Sequence, residues 1–289
     1  MSLTATELRS SPRFLVALKM MAMELQAHFD ANPRLSRFLA SHQRWLLSQA
    51  AFALYLEYDP AVPGTGLTTG RLKDMILSVK AASRNTVLNF LDQVMTYRYM
   101  RVAENGGKRP RRFEATDVSL EGMMRWFQSN LAALDYVDGG NRVEQFQAAP
   151  ELFRLSQPRI ARRCIEDENW RDPPPRIAMF MWTESGGLVM DELISRVDPE
   201  ETGESYDLGR IDARAMASHF LMSRTHLQRL LRKAVETGCL AWHDETKKTH
   251  MSMSRDYVEE YCGWAAIKFS IVDEVFDWAK AKLAGKGND

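Results

Sequence analysis

A mainly α fold with two small β-hairpins is predicted, and three observations carry the prediction. Most of the chain spaces its apolar side chains three and four apart, as a half-buried helix does, rather than alternating them. Two short strand-like runs, 99–103 and 239–243, are each followed by a polar turn and a second run that can pair back. The elements around the first hairpin then recur in the same order 140 residues later.

Taken in order, residues 14–29 form a helix through Leu15, Leu18, Met21, Ala22, Leu25 and Phe29. Asn32-Pro33 opens a second, since proline is tolerated in a first turn. It runs to about residue 58 through Phe38, Leu46, Phe52 and Leu56, and the Pro/Gly-rich stretch 59–70 ends it as a loop. A short helix at 72–79 and a tight turn lead to Ser83, an N-cap that starts a helix to about residue 98. The first hairpin follows, turning at Asn105-Gly106-Gly107 and returning through 113–116. Asp117 then caps a helix to about residue 136. Residues 138–175 read as a bridge with one or two short helices, because Pro158 and Pro173-Pro174-Pro175 break any long one. Helices resume at 177–182 and 189–197, and 198–209 is an acidic loop. Helices at 212–220 and 223–237 precede the second hairpin, with Gly238 suited to a C′ position. A helix from residue 256 to about 283 closes the chain.

The repeat aligns Ser83-Arg84 with Ser223-Arg224, and Val87, Phe90, Leu91 and Val94 with Leu227, Leu230, Leu231 and Ala234. Helix, turn, helix and hairpin in this order make a winged helix-turn-helix, whose second helix lies in the DNA major groove. The fold class is therefore mainly α with small β-hairpin wings: tandem winged helix-turn-helix domains plus N- and C-terminal helices. The expected division is 1–137 for the N-terminal helices and first module, 138–175 for the bridge, and 176–289 for the second module with its long terminal helix.

With the apolar stripes facing inward, the candidate DNA-contacting residues separate out. In the first module they are Lys80, Ser83, Arg84, Asn85, Thr86, Asn89 and Gln93, with Lys108, Arg109, Arg111 and Arg112 on the wing. In the second they are Ser223, Arg224, Thr225, Gln228, Arg229 and Arg232, with Lys247 and Lys248 on the wing. Arginine can bond guanine O6/N7, and Asn or Gln can bond adenine N6/N7. Four cations in five residues beside a glycine turn suit phosphates or a minor groove.

Residues 34–137 resemble a winged-helix domain of the multiple-antibiotic-resistance regulator (MarR) type. The stretches that carry the likeness are Leu67-Thr68-Thr69, Ala82-Ser83-Arg84-Asn85-Thr86-Val87, the basic wing, and the exit Phe113-Glu114-Ala115-Thr116-Asp117. Residues 176–283 are similar in order and weaker in motif. The resemblance implies sequence-specific transcription control, often tuned by a small ligand, with dimerisation through terminal helices. Two departures stand out: this chain carries two modules where such regulators usually carry one, and no Asp precedes Lys108 where the family's wing typically has one. The second wing, Asp244-Glu245-Thr246-Lys247-Lys248-Thr249, has no arginine.

The charge distribution fits two local contacts. The chain is neutral overall, with 38 Lys+Arg against 38 Asp+Glu, which excludes a protein that coats nucleic acid uniformly. Yet 68–116 holds ten Lys/Arg against four acids, 209–251 eight against four, and 164–207 three against twelve.

Other signals point away from chemistry. Three widely spaced cysteines, Cys164, Cys239 and Cys262, suit a reducing cytoplasm rather than a disulfide scaffold. No signal peptide or membrane span is read from the chain, so a soluble, cytoplasmic protein is expected. The glycines of 64–70 miss the dinucleotide fingerprint by one residue and follow a helix. His219 and His226 lack partners at ligand spacing, so no metal, cofactor or catalytic residue is assigned and no enzymatic activity is expected. Double-stranded DNA is the expected partner, bound by a homodimer or by one chain as a pseudo-dimer. No ligand-binding residue is assigned, although Trp45 and Trp126 suggest lining for a small-molecule effector. Two alternatives stay open: a plasmid replication initiator, a class also built from tandem winged helices, and a winged-helix module that binds protein.

Overall fold

The computed structural model describes residues 2–104, 110–244, 246 and 248–285. The N-terminal part is helical: α1 (Ala5–Ser10), α2 (Pro12–Ala31), α3 (Pro33–Leu39) and α4 (His42–Leu56). Next come β1 (Leu67–Thr68), α5 (Thr69–Ser78), α6 (Arg84–Thr96), β2 (Met100–Val102), β3 (Arg112–Ala115) and α7 (Asp117–Asp138). The middle holds α8 (Arg142–Ala148), α9 (Glu151–Glu166), α10 (Glu168–Arg171), α11 (Pro175–Met181) and α12 (Gly186–Arg196). The remainder is β4 (Ser205–Arg210), α13 (Ala213–His219), α14 (Arg224–Glu236), β5 (Leu240–Trp242), β6 (His250–Ser254) and α15 (Arg255–Gly285).

The protein is thus mainly helical, with two small three-stranded antiparallel sheets of equivalent order, β1-β3-β2 and β4-β6-β5. Each sheet follows the same chain path: a strand, two helices joined by a tight turn, two more strands, and a long helix. Register is set by pairs such as Met100 with Ala115 and Leu240 with Met253, which put one apolar side chain after another on the covered face.

Packing divides the chain into two units, and not in the series 1–137, 138–175 and 176–289. One unit joins 43–171 to 268–285 and residues 2–3; the other joins 4–42 to 172–267. In the first unit Phe127 of α7 is the centre of an aromatic cluster, 5.2 Å from Phe146, 5.6 Å from Phe153 and 6.3 Å from Phe276 between ring centroids. In the second, α2 lays Phe14, Ala17, Leu18, Met21, Ala22 and Phe29 against the core, with α12 as its main neighbour.

Four local expectations are corrected. The supposed bridge is core: α9 runs through Pro158, which removes one helical N–H at a cost of about 3 kcal/mol. Eight buried residues, among them Phe153, Ile160 and Ile165, offset that cost. The acidic loop contains β4, where Tyr206 and Leu208 alternate inward between exposed polar residues. The loop over 59–70 likewise yields the two-residue strand β1, paired with β3 through Leu67–Phe113 and Thr68–Arg112. Finally, the helix expected over 32–58 breaks at Ala40 without any proline. At that break Gly187 approaches the Ala40 carbonyl so closely that an added Cβ would collide with it.

Candidate nucleic-acid interface

The two candidate surfaces are built by the same backbone device. In the first unit Lys80, just past the C-cap Val79 of α5, adopts φ +57°. The Lys80 N–H reaches the Leu77 carbonyl and the Ala81 N–H reaches the Ile76 carbonyl, both at 3.1 Å, which closes the end of α5. Ala81 and Ala82 are buried beneath the turn. Ser83 then caps α6, its Oγ accepting the Thr86 N–H at 3.1 Å and lying 2.9 Å from the Thr86 hydroxyl. In the second unit Leu221 takes the left-handed position with φ +54°, the Met222 N–H bonds the Ala217 carbonyl at 2.9 Å, and Ser223 accepts the His226 N–H at 3.2 Å. The first turn is one residue longer, so the 140-residue displacement holds from the serine onward. It persists at the far ends of the helices, where Arg98 and Gly238 both have positive φ and Tyr99 and Cys239 bond back to Val94 and Ala234.

Burial sorts the side chains of α6. Val87, Phe90, Leu91 and Val94 are buried; Arg84, Asn85 and Asn89 are exposed, and Thr86 and Gln93 are half-buried. Lys80 and Ser83 are exposed beside them. Leu88 and Asp92 lie on the same outer face, which reading the helix for donors alone overlooked. On α14, Leu227, Leu230, Leu231 and Ala234 are buried, while Arg224, Thr225, Gln228, Arg229 and Arg232 are exposed with Ser223. Lys233 joins that face and was also overlooked, although its spacing from Arg229 already put it there.

The hairpins are less alike. Lys108 and Arg109 lie outside the described residues, and so does Lys247. Arg111 is exposed. Arg112 belongs to β3 rather than to the connecting loop, and its guanidinium lies 3.8 Å from the centroid of the Tyr58 ring. Arg101, on the neighbouring strand, bonds Glu114 at 2.7 Å; that carboxylate raises the pKa of Arg101 and offsets its charge locally. On the second hairpin Lys248 is exposed with φ +48°. At its base the His243 and His250 rings stack with centroids 6.5 Å apart.

Ion pairing separates these cations from the arginines of the scaffold. Among the described residues Lys80, Arg84, Arg111, Arg112, Arg224, Arg229 and Lys248 form no ion pair, and Arg232 has one long contact, 3.6 Å to Glu236. By contrast Arg142, Arg162, Arg163, Arg176 and Arg196 each hold a carboxylate oxygen within 2.6–2.7 Å.

The three cysteines are free and buried, and burial pushes the Cys164 and Cys262 thiols up to about 12. His219 lies 3.2 Å from Asp30 and packs on Phe29, and no group of three His, Cys, Asp or Glu among the described residues is placed to hold a metal ion. Trp45, suggested as pocket lining, is instead packed edge to face with Trp126 and Trp170, and the Lys268 ammonium lies about 6 Å from the latter two rings. A cleft of about 250 Å³ opens elsewhere in that unit, where Arg71, Asp74 and Met75 of α5 face Arg162, Ile165 and Glu166 of α9. No described helix is long and apolar enough to cross a membrane. Searched against family models, curated proteins and solved structures, the chain matches none.

Proposed function

We propose that the chain is a sequence-specific DNA-binding transcriptional regulator whose two units each carry a winged helix-turn-helix module. In this reading α6 and α14 are the recognition helices, and the β2–β3 and β5–β6 hairpins are the wings. The observation that carries it is the doubled, exposed polar face, whose arginines have no ion pair among the described residues: Arg84, Asn85 and Asn89 in one unit and Arg224, Gln228 and Arg229 in the other, each beginning at a serine-capped helix N-terminus. Helix N-termini favour phosphate, and Arg with Asn or Gln is the set that reads guanine and adenine in the major groove. One chain would engage two half-sites as a pseudo-dimer in the cytoplasm, without a cofactor or catalytic step. The cleft beside α5, with charges of both signs, suits a small polar effector acting on the helix that supports the turn.

A second reading, that α6 binds protein, is favoured by Leu88 and Asp92 on its outer face, since a carboxylate there repels phosphate. One experiment separates them: selection from genomic DNA fragments at two salt concentrations. The regulator reading expects promoter-proximal sites, with an affinity that falls by about 0.9 log units per log unit of salt for each phosphate neutralised. Arg111→Ala should lower that slope by about 1, while Asn85→Ala and Arg229→Ala should each change the preferred sequence. Selection of iterated sites would favour replication initiation instead. Absence of any selected site, with indifference to these substitutions, overturns DNA reading by either module.

A further inference from the structure

The outer face of α2 carries a pattern unrelated to the nucleic-acid reading. Opposite its buried face, Met20 and Met23 are 47% and 54% exposed, among the most exposed large apolar side chains of the described protein. They continue a single stripe. Val16, Met20, Met23 and Ala27 are spaced four, three and four apart, the seam of a two-stranded coiled coil, with Arg13 and Asp30 extending the same spacing at the two ends. Val16 is half-buried, and Ala27, Arg13 and Asp30 are exposed.

The stripe is also its own complement when reversed. Laid antiparallel on a second α2 about a two-fold axis midway between residues 21 and 22, Met20 falls in one layer with the partner's Met23 and Val16 with the partner's Ala27. The end layers bring Arg13 onto the partner's Asp30 twice over, an opposite-charge pair at each end. A two-fold contact demands this self-complementarity, because each residue must suit its counterpart in both directions. A parallel seam would instead face Arg13 with Arg13 and Asp30 with Asp30, so the end charges select the antiparallel sense.

We infer that α2 is the seam of a two-fold dimer of this chain, two helices packed antiparallel through Val16, Met20, Met23 and Ala27 and closed by Arg13–Asp30 pairs. Four apolar layers are a small interface, so the dimer forms in the micromolar range and not as an obligate assembly.

Sedimentation velocity of the full chain over a concentration series tests this. Expected is a reversible monomer–dimer equilibrium, weakened about 100-fold or more by Met20→Lys with Met23→Lys, since four half-exposed methionines lose their partner surface. These positions are exposed, and an unchanged melting temperature will show that the variant folds. Arg13→Asp alone should weaken the dimer by placing two carboxylates in each end layer, and adding Asp30→Arg should restore it. The restoration separates the intermolecular pair from the contact that Asp30 makes with His219 in its own chain. Mixing a Met20→Cys variant with a Met23→Cys variant should give a disulfide-linked dimer under mild oxidation, whereas neither variant should by itself; the native cysteines are buried. A monomer at every concentration, a dimer indifferent to the lysine pair, or efficient crosslinking by Met20→Cys alone overturns the proposal. The first outcome leaves the stripe to a different protein, and none of the three bears on DNA recognition.

Discussion

Arg142 is the most demanding charge in the first unit, and replacing it by methionine should be the most damaging single change there. The residue is 8% exposed and its side chain carries four bonds: Nε to Asp273 at 2.6 Å, Nη1 to Asp135 at 3.1 Å and to Asp138 at 2.8 Å, and Nη2 to Asp138 at 2.7 Å. Asp273 on α15 is fully buried, and its other oxygen accepts the Leu3 N–H at 2.7 Å. Arg142→Met leaves that carboxylate with one donor and no counter-charge, a change that typically costs about 3–5 kcal/mol. For a chain of this size the melting temperature should fall by roughly 6–20 °C. The companion variant Arg142→Met with Asp273→Leu removes both charges, and it should recover at least half of the loss because the buried charge itself is gone. Calorimetry at neutral pH reads both. A loss below about 1 kcal/mol in the single variant, or a double variant no better than the single, refutes the reasoning that the uncompensated Asp273 carries the cost.

Other perturbations are expected to behave as follows. Ser83→Ala and Ser223→Ala each remove the acceptor for a first-turn N–H and should cost about 1 kcal/mol in urea unfolding; no change at either site would show that water replaces the cap. Gly238→Ala should destabilise by about 1 kcal/mol at φ +71°, whereas Arg98→Gly, at the equivalent place with φ +58°, should be neutral or stabilising. Gly187→Ala should cost about 1–3 kcal/mol in the same assay, because its Cβ meets the Ala40 backbone rather than a movable side chain. Asp138 and Glu274 are held below their ordinary values of 3.8 and 4.5, chiefly by hydrogen bonds from Arg142 and Arg163. Their contribution is therefore present above about pH 5 and lost as pH falls through the depressed folded values, so acid unfolding of Arg163→Met should be less steep below pH 4.5 than that of the unaltered chain.

Much of this architecture was legible because it depends on local rules. Ser83 and Ser223 cap helices whose inward stripes are plain from spacing, and the displacement of 140 marks the second copy although few residues are identical. The unreadable parts are those decided by distant packing. Pro158 argues for a helix end by every local rule, and burial of Phe153, Ile160 and Ile165 overrules it. The density of acids at 198–207 hid the inward alternation of Tyr206 and Leu208. Arg112 looked like one more wing cation, because the partner strand that brings it over Tyr58 is two residues long and carries no signal of its own. At the candidate interface the identities of the cations were readable and their freedom was not. That Arg84 and Arg229 are unpaired while Arg142 and Arg162 are clasped follows only from where the carboxylates lie.

The alternation of segments between the two units bears on how the chain is made. Residues 43–171 need 268–285 to complete their core, and the buried one of the three carboxylates that bond Arg142, Asp273, is translated 131 residues after it. Residues 4–42 must likewise wait for 172–267. Neither unit can complete its core until a segment distant in sequence and translated later is available, 268–285 for the one and 172–267 for the other. Apolar faces made early therefore stay uncovered until the later segment arrives, longer than in two domains strung in series.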